Sequence, residues 1–275
     1  MRRPFTRGIL GVGSAAVLLY LYLPLMAVAV ASVNADRFGA RWGGFTPHWY
    51  AALGRNADAL RAGGNSLLVA TASTVIATVL GSLLGYGLAR FAFPGRHLAA
   101  GVLRLPVLLP DIVLAVALLL FFGQTRRWLG VGQPGLLLII LGHVTFQLPF
   151  VALVVRARAT GLDPALEEAA RDLGATPLAA FRAVTLPLLA PGILAGALLA
   201  FTLSLDDFVT AFLLSGPGTA TLPVLIYAGV RRGLSPEIHA LSTLVMGASL
   251  LAVLATQWIR TAQDGTAGNR KDAQA

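Results

Sequence analysis

Six apolar runs, each about 20 residues long, constrain the fold of this chain more than any other feature of its sequence. They are Ile9–Val33, Ser66–Ala89, Val102–Gly123, Gly135–Val155, Ala190–Leu214 and Ala240–Trp258. A bilayer core about 30 Å thick requires about 20 apolar residues in an α-helix. With 56% hydrophobic and 12% charged residues, the chain is far more apolar than a soluble domain, in which about 25% of residues are charged. The sequence therefore predicts an all-α membrane protein with six membrane helices and no soluble domain.

The first span begins like a secretion signal, because the basic stretch "MRRPFTRG" precedes it and small residues in "AVAVAS" follow. Its apolar run, however, is longer than the 7–15 residues typical of a cleaved signal. Five further spans also follow it. We therefore expect the first span to be retained as an uncleaved anchor.

The basic residues predict the orientation of the chain in the membrane. Six spans place both termini on one side. With the N-terminus inside, thirteen of the 21 lysine and arginine residues fall in cytoplasmic segments and eight fall outside. This bias agrees with the tendency of cytoplasmic loops to carry positive charge. Both termini, and the loop between the fourth and fifth spans, are expected in the cytoplasm.

Composition also excludes several functions. The chain has no cysteine, so thiol nucleophiles, disulfides and cysteine-ligated metals are absent. Lys271 is its only lysine and is followed by Asp272, so the Gly-Lys-Ser/Thr sequence of a phosphate-binding loop does not occur and the chain does not hydrolyse ATP itself. The net charge of +9 is spread over loops beside the spans, which is typical of topology signals rather than of nucleic-acid binding. The histidines lack ligand spacing, and we expect no metal and no cofactor.

One loop is charged and amphipathic. In "GLDPALEEAARDLGATP", Asp163 fits a helix N-cap, Pro164 the first helical position and Gly174 the C-terminal stop. Thr176-Pro177 repeats the same start signal. Residues at helical spacing form an apolar stripe, namely Leu166, Ala169, Ala170 and Leu173. The pattern predicts a short helix, a turn, and a second helix that leads into the fifth span.

Periodicity alone would favour an amphipathic linker, lying on the membrane surface or packed on its own bundle. The spacing of the residues indicates a more specific role. It resembles the E-A-A-x3-G-x9-I-x-L-P signature of the membrane permeases of ABC importers, the ATP-driven systems that depend on a binding protein. The matching positions are Glu168, Ala169, Ala170, Gly174, Val184, Leu186 and Pro187. Val184 replaces the usual isoleucine.

The resemblance implies that this loop is a coupling helix, which docks in a groove of a separate ATPase. Small residues at Ala169 and Ala170 would keep the helix narrow, Gly174 would allow a sharp turn, and Glu168 would supply a polar contact at the mouth of the groove. It further implies a non-catalytic subunit of the bacterial inner membrane with two ATPase subunits inside, a second permease chain, and a substrate-binding protein outside. The expected domains are an N-terminal span and loop (1–60), the permease domain (61–260) and a polar tail (261–275).

Further segments resemble the spermidine/putrescine branch of these permeases, and most of all the second of its two permease subunits. They are "HVTFQLPFV", "FTLSLDDFV", "SGPGTATLPVLIY" and "GLSPEIHALSTL". The resemblance implies a polyamine as substrate, although branches that carry iron, thiamine or opines share much of this text. A stand-alone carrier is the alternative from another class. Secondary transporters usually contain internal repeats, and the two halves of this chain show none.

The adjacent carboxylates Asp206 and Asp207 lie in the fifth predicted span, where charge is costly. One interpretation places them near the outer interface, hydrated or paired with Arg231 or Arg232. In the other interpretation, at least one of these carboxylates faces a water-filled pathway and contacts a cationic substrate. An aspartyl hydrolase is disfavoured, because neighbours in one helix point about 100° apart whereas a catalytic dyad shares a proton.

Three further features of the spans admit a structural role beside a functional one. Asp111 follows two prolines that should kink or delay the third helix, so it fits a cap near an interface or a residue of the substrate pathway. His143, inside the fourth span, is expected to bond across helices as a neutral ring or to serve transport. Gly81, Gly85 and Gly87 have the spacing of a close helix contact.

Overall fold

The structure, a computed structural model, describes residues 4–36, 41–130, 132–232, 236–248 and 250. Its named helices are α1 (Pro4–Ala31), α2 (His48–Leu53), α3 (Ala57–Arg90), α4 (Arg96–Val102), α5 (Leu105–Leu108), α6 (Asp111–Leu129), α7 (Leu136–Thr160), α8 (Ala165–Asp172), α9 (Pro177–Ala180), α10 (Leu186–Asp206), α11 (Val209–Leu214) and α12 (Leu222–Arg232). Residues 236–248 are also helical, and a π-helical turn, Phe181–Thr185, joins α9 to α10. The chain forms two compact units, unit 1 (Met1–Leu60 with Ile226–Ala275) and unit 2 (Arg61–Leu225).

Four helices of the described part are long and apolar enough to cross a membrane, and a bent pair makes a fifth candidate. The first, second and fourth predicted spans correspond to α1, α3 and α7. The third was predicted as one run, Val102–Gly123, with a kink or delay at its prolines; the break is confirmed, but a single helix is not. Arg96–Leu108 and Asp111–Trp128 meet at an angle of 109°. Pro110 explains the break, because proline disfavours a helical conformation in the residue before it and begins a new helix readily.

The fifth predicted span, Ala190–Leu214, is also not one helix. α10 ends at Asp206, and α11 begins only at Val209. Between them the backbone of Asp207 is extended, with φ −68° and ψ 121°. The Asp207 carboxylate then accepts hydrogen bonds from the first turn of α11, so the side chain that interrupts one helix also caps the next.

The packing of unit 2 centres on α7, whose buried residues include His143, Gln147 and Val151. α3 approaches it closely through glycine. A Cβ atom at Gly81 would lie 2.8 Å from Val151 Cβ, and one at Gly85 would collide with the backbone of Ala152. Gly87 has open space around it. Two of the three glycines predicted to form a close helix contact therefore do so.

Hydrogen bonds close unit 2 at both ends. At one end Asn65 Nδ2 donates to the carbonyl oxygens of Gly218 (3.1 Å) and Ala220 (3.0 Å), near the start of α3. At the other end Arg158 Nε donates to Leu188 O (2.9 Å), which joins the end of α7 to the start of α10. α7 and α10 therefore run in opposite directions.

Unit 1 holds α1, α2 and the helical residues 236–248. The side chain of Asn34 organises the loop after α1, because its Oδ1 accepts from the backbone N–H groups of Asp36 (3.1 Å) and Gly43 (2.8 Å). Asn56 donates to Glu237 (3.4 Å). The sixth predicted span, Ala240–Trp258, extends beyond the described residues, and the tail 261–275 lies wholly outside them.

Candidate functional site

The helix α8 has the caps that the sequence predicts. Asp163 Oδ1 accepts a hydrogen bond from Ala165 N (3.0 Å) at its start. At its end Gly174 adopts φ +91°, a conformation that favours glycine. Ala175 N then donates to Ala170 O (3.1 Å) and Gly174 N to Arg171 O (2.9 Å), the pair of bonds that defines a Schellman turn. Thr176 caps α9 in turn, accepting from Ala179 N (3.3 Å).

The apolar stripe of α8 is not packed on the bundle. Leu173 is 90% exposed and Leu166 48% exposed. Ala169 is exposed and Ala170 is half-buried. The two leucines of the stripe are therefore not covered by the described part of the chain, and both interpretations of α8, as a linker and as a coupling helix, stay predictions.

Another side of α8, which carries Glu167, contacts the rest of unit 2. Thr185 Oγ1, in the π-helical turn, donates to Glu167 Oε2 (2.9 Å). The ring of Tyr86 packs edge-to-face on Phe181, with centroids 5.3 Å apart. The sequence singled out Glu168, yet its neighbour Glu167 makes this contact, while Glu168 is exposed. A cleft of about 180 Å³ separates the end of α3 from α8.

The two halves of the loop motif lie near each other. The first half is on α8 and its turn, while Val184 is half-buried in the π-helical turn. Leu186 and Pro187 are exposed in the first turn of α10. α8 contacts the π-helical turn directly, so the motif forms one surface around the start of α10.

A second group of polar side chains is buried inside unit 2. This buried polar cluster consists of Ser73, His143, Gln147, Ser204 and Asp207. His143 Nδ1 lies 2.7 Å from Ser204 Oγ, and its Nε2 lies 3.2 Å from Asp207 Oδ2. Ser204 Oγ is 3.4 Å from Ser73 Oγ, which accepts from Gln147 Nε2 (3.1 Å). The cluster joins α3, α7 and α10 with the break that precedes α11.

Asp207 is the only charged member of this cluster. Its Oδ2 accepts from Ala211 N (2.9 Å) and its Oδ1 from Thr210 N (3.4 Å), so it also caps α11. The Nε2–H of His143 is not well aligned with the carboxylate, and the contact between them is mainly electrostatic. The prediction that His143 bonds across helices is confirmed. The suggested pairing of this aspartate with Arg231 or Arg232 stays a prediction.

The other acidic candidates are separate. Asp206, the last residue of α10, is exposed, as is Asp111, the first residue of α6. The contacts of the described residues do not join Asp111 to either aspartate of the break. Asp111 is not the N-cap of α6, which is Pro110, and its side chain makes no capping hydrogen bond. It lies in the first turn, where a carboxylate is favourable beside the positive end of the helix dipole.

Sequence reasoning missed three members of the buried polar cluster: Ser73, Gln147 and Ser204. One signal was available, because Gln147 follows His143 by four residues and the two must share one face of α7. Nothing in the sequence indicated which residues of α3 and α10 would meet that face.

A comparison with protein-family models decides the family. Residues 77–265 match the model described as the inner membrane component of binding-protein-dependent transport systems. The chain belongs to this family of permeases. It is therefore a multi-pass transport subunit of the inner membrane rather than an enzyme. The expected family signature in the loop around α8 lies within the matched residues.

Curated relatives of this permease have matching lengths. It is 41% identical over 259 residues to the spermidine/putrescine transport system permease protein PotC of Escherichia coli K12, an alignment that covers 94% of this chain and 96% of the relative. It is 42% identical over 231 residues to the putrescine transport system permease protein PotI of the same organism, covering 83% and 82% of the two chains.

Solved structures support the fold. A bacterial ABC transporter involved in the import of the acidic polysaccharide alginate superimposes with a TM-score of 0.75, at 20% identity, over 93% of this permease and 95% of the matched chain. At this level of identity the likeness establishes the fold alone. The permease thus has the helical fold of an ABC importer membrane subunit.

Proposed function

We propose that this permease forms part of the translocation pathway of an ATP-driven importer for polyamines such as spermidine or putrescine. The observation that carries the proposal is the 41% identity with a spermidine/putrescine permease over 94% of the chain. The alternatives that carry iron, thiamine or opines have no such support among the relatives described above.

We propose further that α8 is the coupling helix for a separate ATPase. Its apolar stripe is exposed, so this surface is available to a partner subunit. The small side chains of Ala169 and Ala170 allow close approach, and the exposed Glu168 is available as a polar contact. Contact between Thr185 and Glu167 ties α8 to the start of α10, so a displacement of α8 would reach the membrane part of the chain.

The complete importer in this proposal has two ATPase subunits, a second and different permease chain, and a periplasmic substrate-binding protein. A single permease chain would leave the exposed apolar surface of α10 partly uncovered, as at Leu194, Leu198 and Leu199. Lipid or a second permease is the occupant expected of such a surface. The 1–60, 61–260 and 261–275 division of the chain remains part of this proposal.

We propose that Asp206, Asp207 and Asp111 belong to the substrate pathway. The two adjacent aspartates have different tasks. The exposed carboxylate of Asp206 is available to a cationic substrate. Asp207 keeps a negative charge next to it and holds the break between α10 and α11. An ammonium group of a polyamine would be attracted to this pair of negative charges, and the exposed Asp206 is the carboxylate it can reach.

The proposed topology has six spans with both termini in the cytoplasm. A reporter fused after Arg260 should then report a cytoplasmic location, and one inserted near Arg55 an external one. Cleavage at Arg171 by a protease added outside intact cells would contradict this orientation.

The substrate is tested by uptake. We expect radiolabelled spermidine or putrescine to enter cells that lack their own polyamine importers when this chain is produced with its ATPase, second permease and binding protein. A matched strain that lacks only this permease is the control. Uptake of iron, thiamine or an opine by the complete set, without polyamine uptake, would assign the chain to another branch.

A further inference from the structure

The ring of His143 lies at the break between α10 and α11, and it contacts α10 and the break itself. Its Nδ1 is 2.7 Å from Ser204, in the last turn of α10. Its Nε2 is 3.2 Å from Asp207, which precedes α11. One side chain of α7 therefore contacts both the last turn of α10 and the break itself.

α11 has only six residues, and isolated helices of this length are not stable in water. Its position must come from its cap and from its packing. Asp207 caps it, while Ala211 and Leu214 are buried in an apolar core with Leu138 and Ile139 of α7. The apolar contacts hold α11 against α7, the helix that carries His143, and against α6.

The residue before His143 allows this close approach. A Cβ atom at Gly142 would lie 2.8 Å from Thr210 Cγ2 and 2.7 Å from Leu214 Cδ1. A larger residue here would require the side chains of Thr210 and Leu214 to shift, so glycine favours the close approach of α11 to α7 beside His143.

The two nitrogens of the ring have different partners. A carboxylate accepts hydrogen bonds and does not donate them, so Nε2 must carry the hydrogen that faces Asp207. The hydroxyl of Ser204 can donate to Nδ1 or accept from it, because a hydroxyl does both. The Asp207 contact is thus specific for one nitrogen, whereas the Ser204 contact is adaptable.

We propose that His143 is a positioning residue for Asp207. Its Nε2 side attracts the carboxylate and keeps it at the N-terminus of α11, and transport requires this electrostatic contact rather than the one with Ser204. The uptake readout rests on the proposed polyamine function, but the geometry does not.

Two substitutions of His143 separate the two contacts. The amide nitrogen of glutamine lies near the position of Nε2, and that of asparagine lies near the position of Nδ1. We expect His143→Gln to retain most of the uptake rate and His143→Asn to lower it roughly tenfold or more, since bonds to a charged group are the stronger ones. Ser204→Ala removes only a neutral bond and should lower uptake no more than about threefold.

A second measurement does not depend on the substrate. The natural chain has no cysteine, so Thr210→Cys provides a single thiol at a position that is buried in the described structure. In membranes that contain the assembled importer, this thiol should react slowly with a maleimide. Adding His143→Asn should accelerate labelling of this chain several-fold, because α11 loses the contact that holds its cap, while adding His143→Gln should not.

The uptake and labelling results decide whether His143 positions Asp207. Equal loss of uptake in both His143 variants, or a larger loss with glutamine than with asparagine, would overturn the proposal. Unchanged labelling of Thr210→Cys with His143→Asn would also overturn it. If no polyamine is transported but the labelling difference is found, the substrate assignment fails while the role of His143 stands.

Discussion

Two regions of this permease carry charge within an apolar sequence, and they are stabilised in opposite ways. Around α8 the stabilising groups are neighbours in sequence, since Asp163 caps its start and Gly174 ends it. At the break before α11, the partner of Asp207 is His143, which lies on another helix. The first region leaves its apolar stripe exposed, whereas the second buries its polar groups. We therefore interpret the exposed stripe of α8 as a surface for a partner. The break at Asp207, which connects α10 to α11 inside the protein, is called the joint.

The largest effect on uptake is expected from a substitution on the exposed stripe of α8. Ala169→Arg places a long charged side chain on the exposed stripe of α8 and should abolish uptake, because a groove shaped for alanine cannot accept it. The subunit should still insert, since Ala169 is exposed and its replacement creates no buried charge. Uptake and co-purification of the ATPase are the measurements.

The matched control is Asp172→Arg, an exposed residue of the same helix outside the stripe, which should retain coupling. Gly174→Val should resemble Ala169→Arg, because a β-branched residue is strained at φ +91°. Normal uptake with full recovery of the ATPase in both Ala169→Arg and Gly174→Val would remove α8 from the coupling surface.

An intermediate effect is expected at the joint. Asp207→Asn keeps a good N-cap but loses the charge that faces His143, so uptake should fall roughly tenfold. Asp206→Asn leaves that contact intact and should have an equal or smaller effect. Assembly and the affinity of the binding protein should be unchanged in both. Wild-type uptake in both variants and in the double mutant would leave these carboxylates a purely structural role.

The smallest effect concerns the packing beneath both regions, because α3 carries Ser73 of the buried polar cluster and Tyr86 beside α8. At Gly85 a Cβ atom would collide with Ala152, so Gly85→Ala should destabilise the subunit by about 1–3 kcal/mol. Gly87→Ala, with open space around it, should be neutral or slightly stabilising. Thermal aggregation of the purified importer measures both. Equal behaviour of the two variants would contradict the close contact between α3 and α7.

The sequence predicted the elements that depend on local rules. The caps at Asp163, Gly174 and Thr176 follow from side-chain hydrogen bonds and glycine conformation within a few residues, and all three are confirmed. The glycine contact of α3 was also predictable as a pattern, but not which of its glycines would meet α7. That choice depends on how the helices are rotated against each other.

The interruption of the fifth span could not be predicted from its hydropathy. Ala190–Leu214 is mainly apolar and has Asp206 and Asp207 as its only charged residues, so its composition fits one continuous helix. Asp207 caps α11 through local hydrogen bonds, but its other partner is an imidazole from α7, and the sequence does not indicate that tertiary contact. The same holds for Glu167, whose partner Thr185 lies across the turn from α8.

α9, the π-helical turn and α10 run without interruption from Pro177 to Asp206, a helix of 30 residues. At 1.5 Å per residue this rod is about 45 Å long. One end adjoins the turn after α8, and the other ends at the joint held by Asp207. A tilt of about 5° about one end displaces the other by about 4 Å, given that length. When this helix tilts as one body, a small angular movement at Pro177 therefore displaces Asp206 by more than the length of a hydrogen bond.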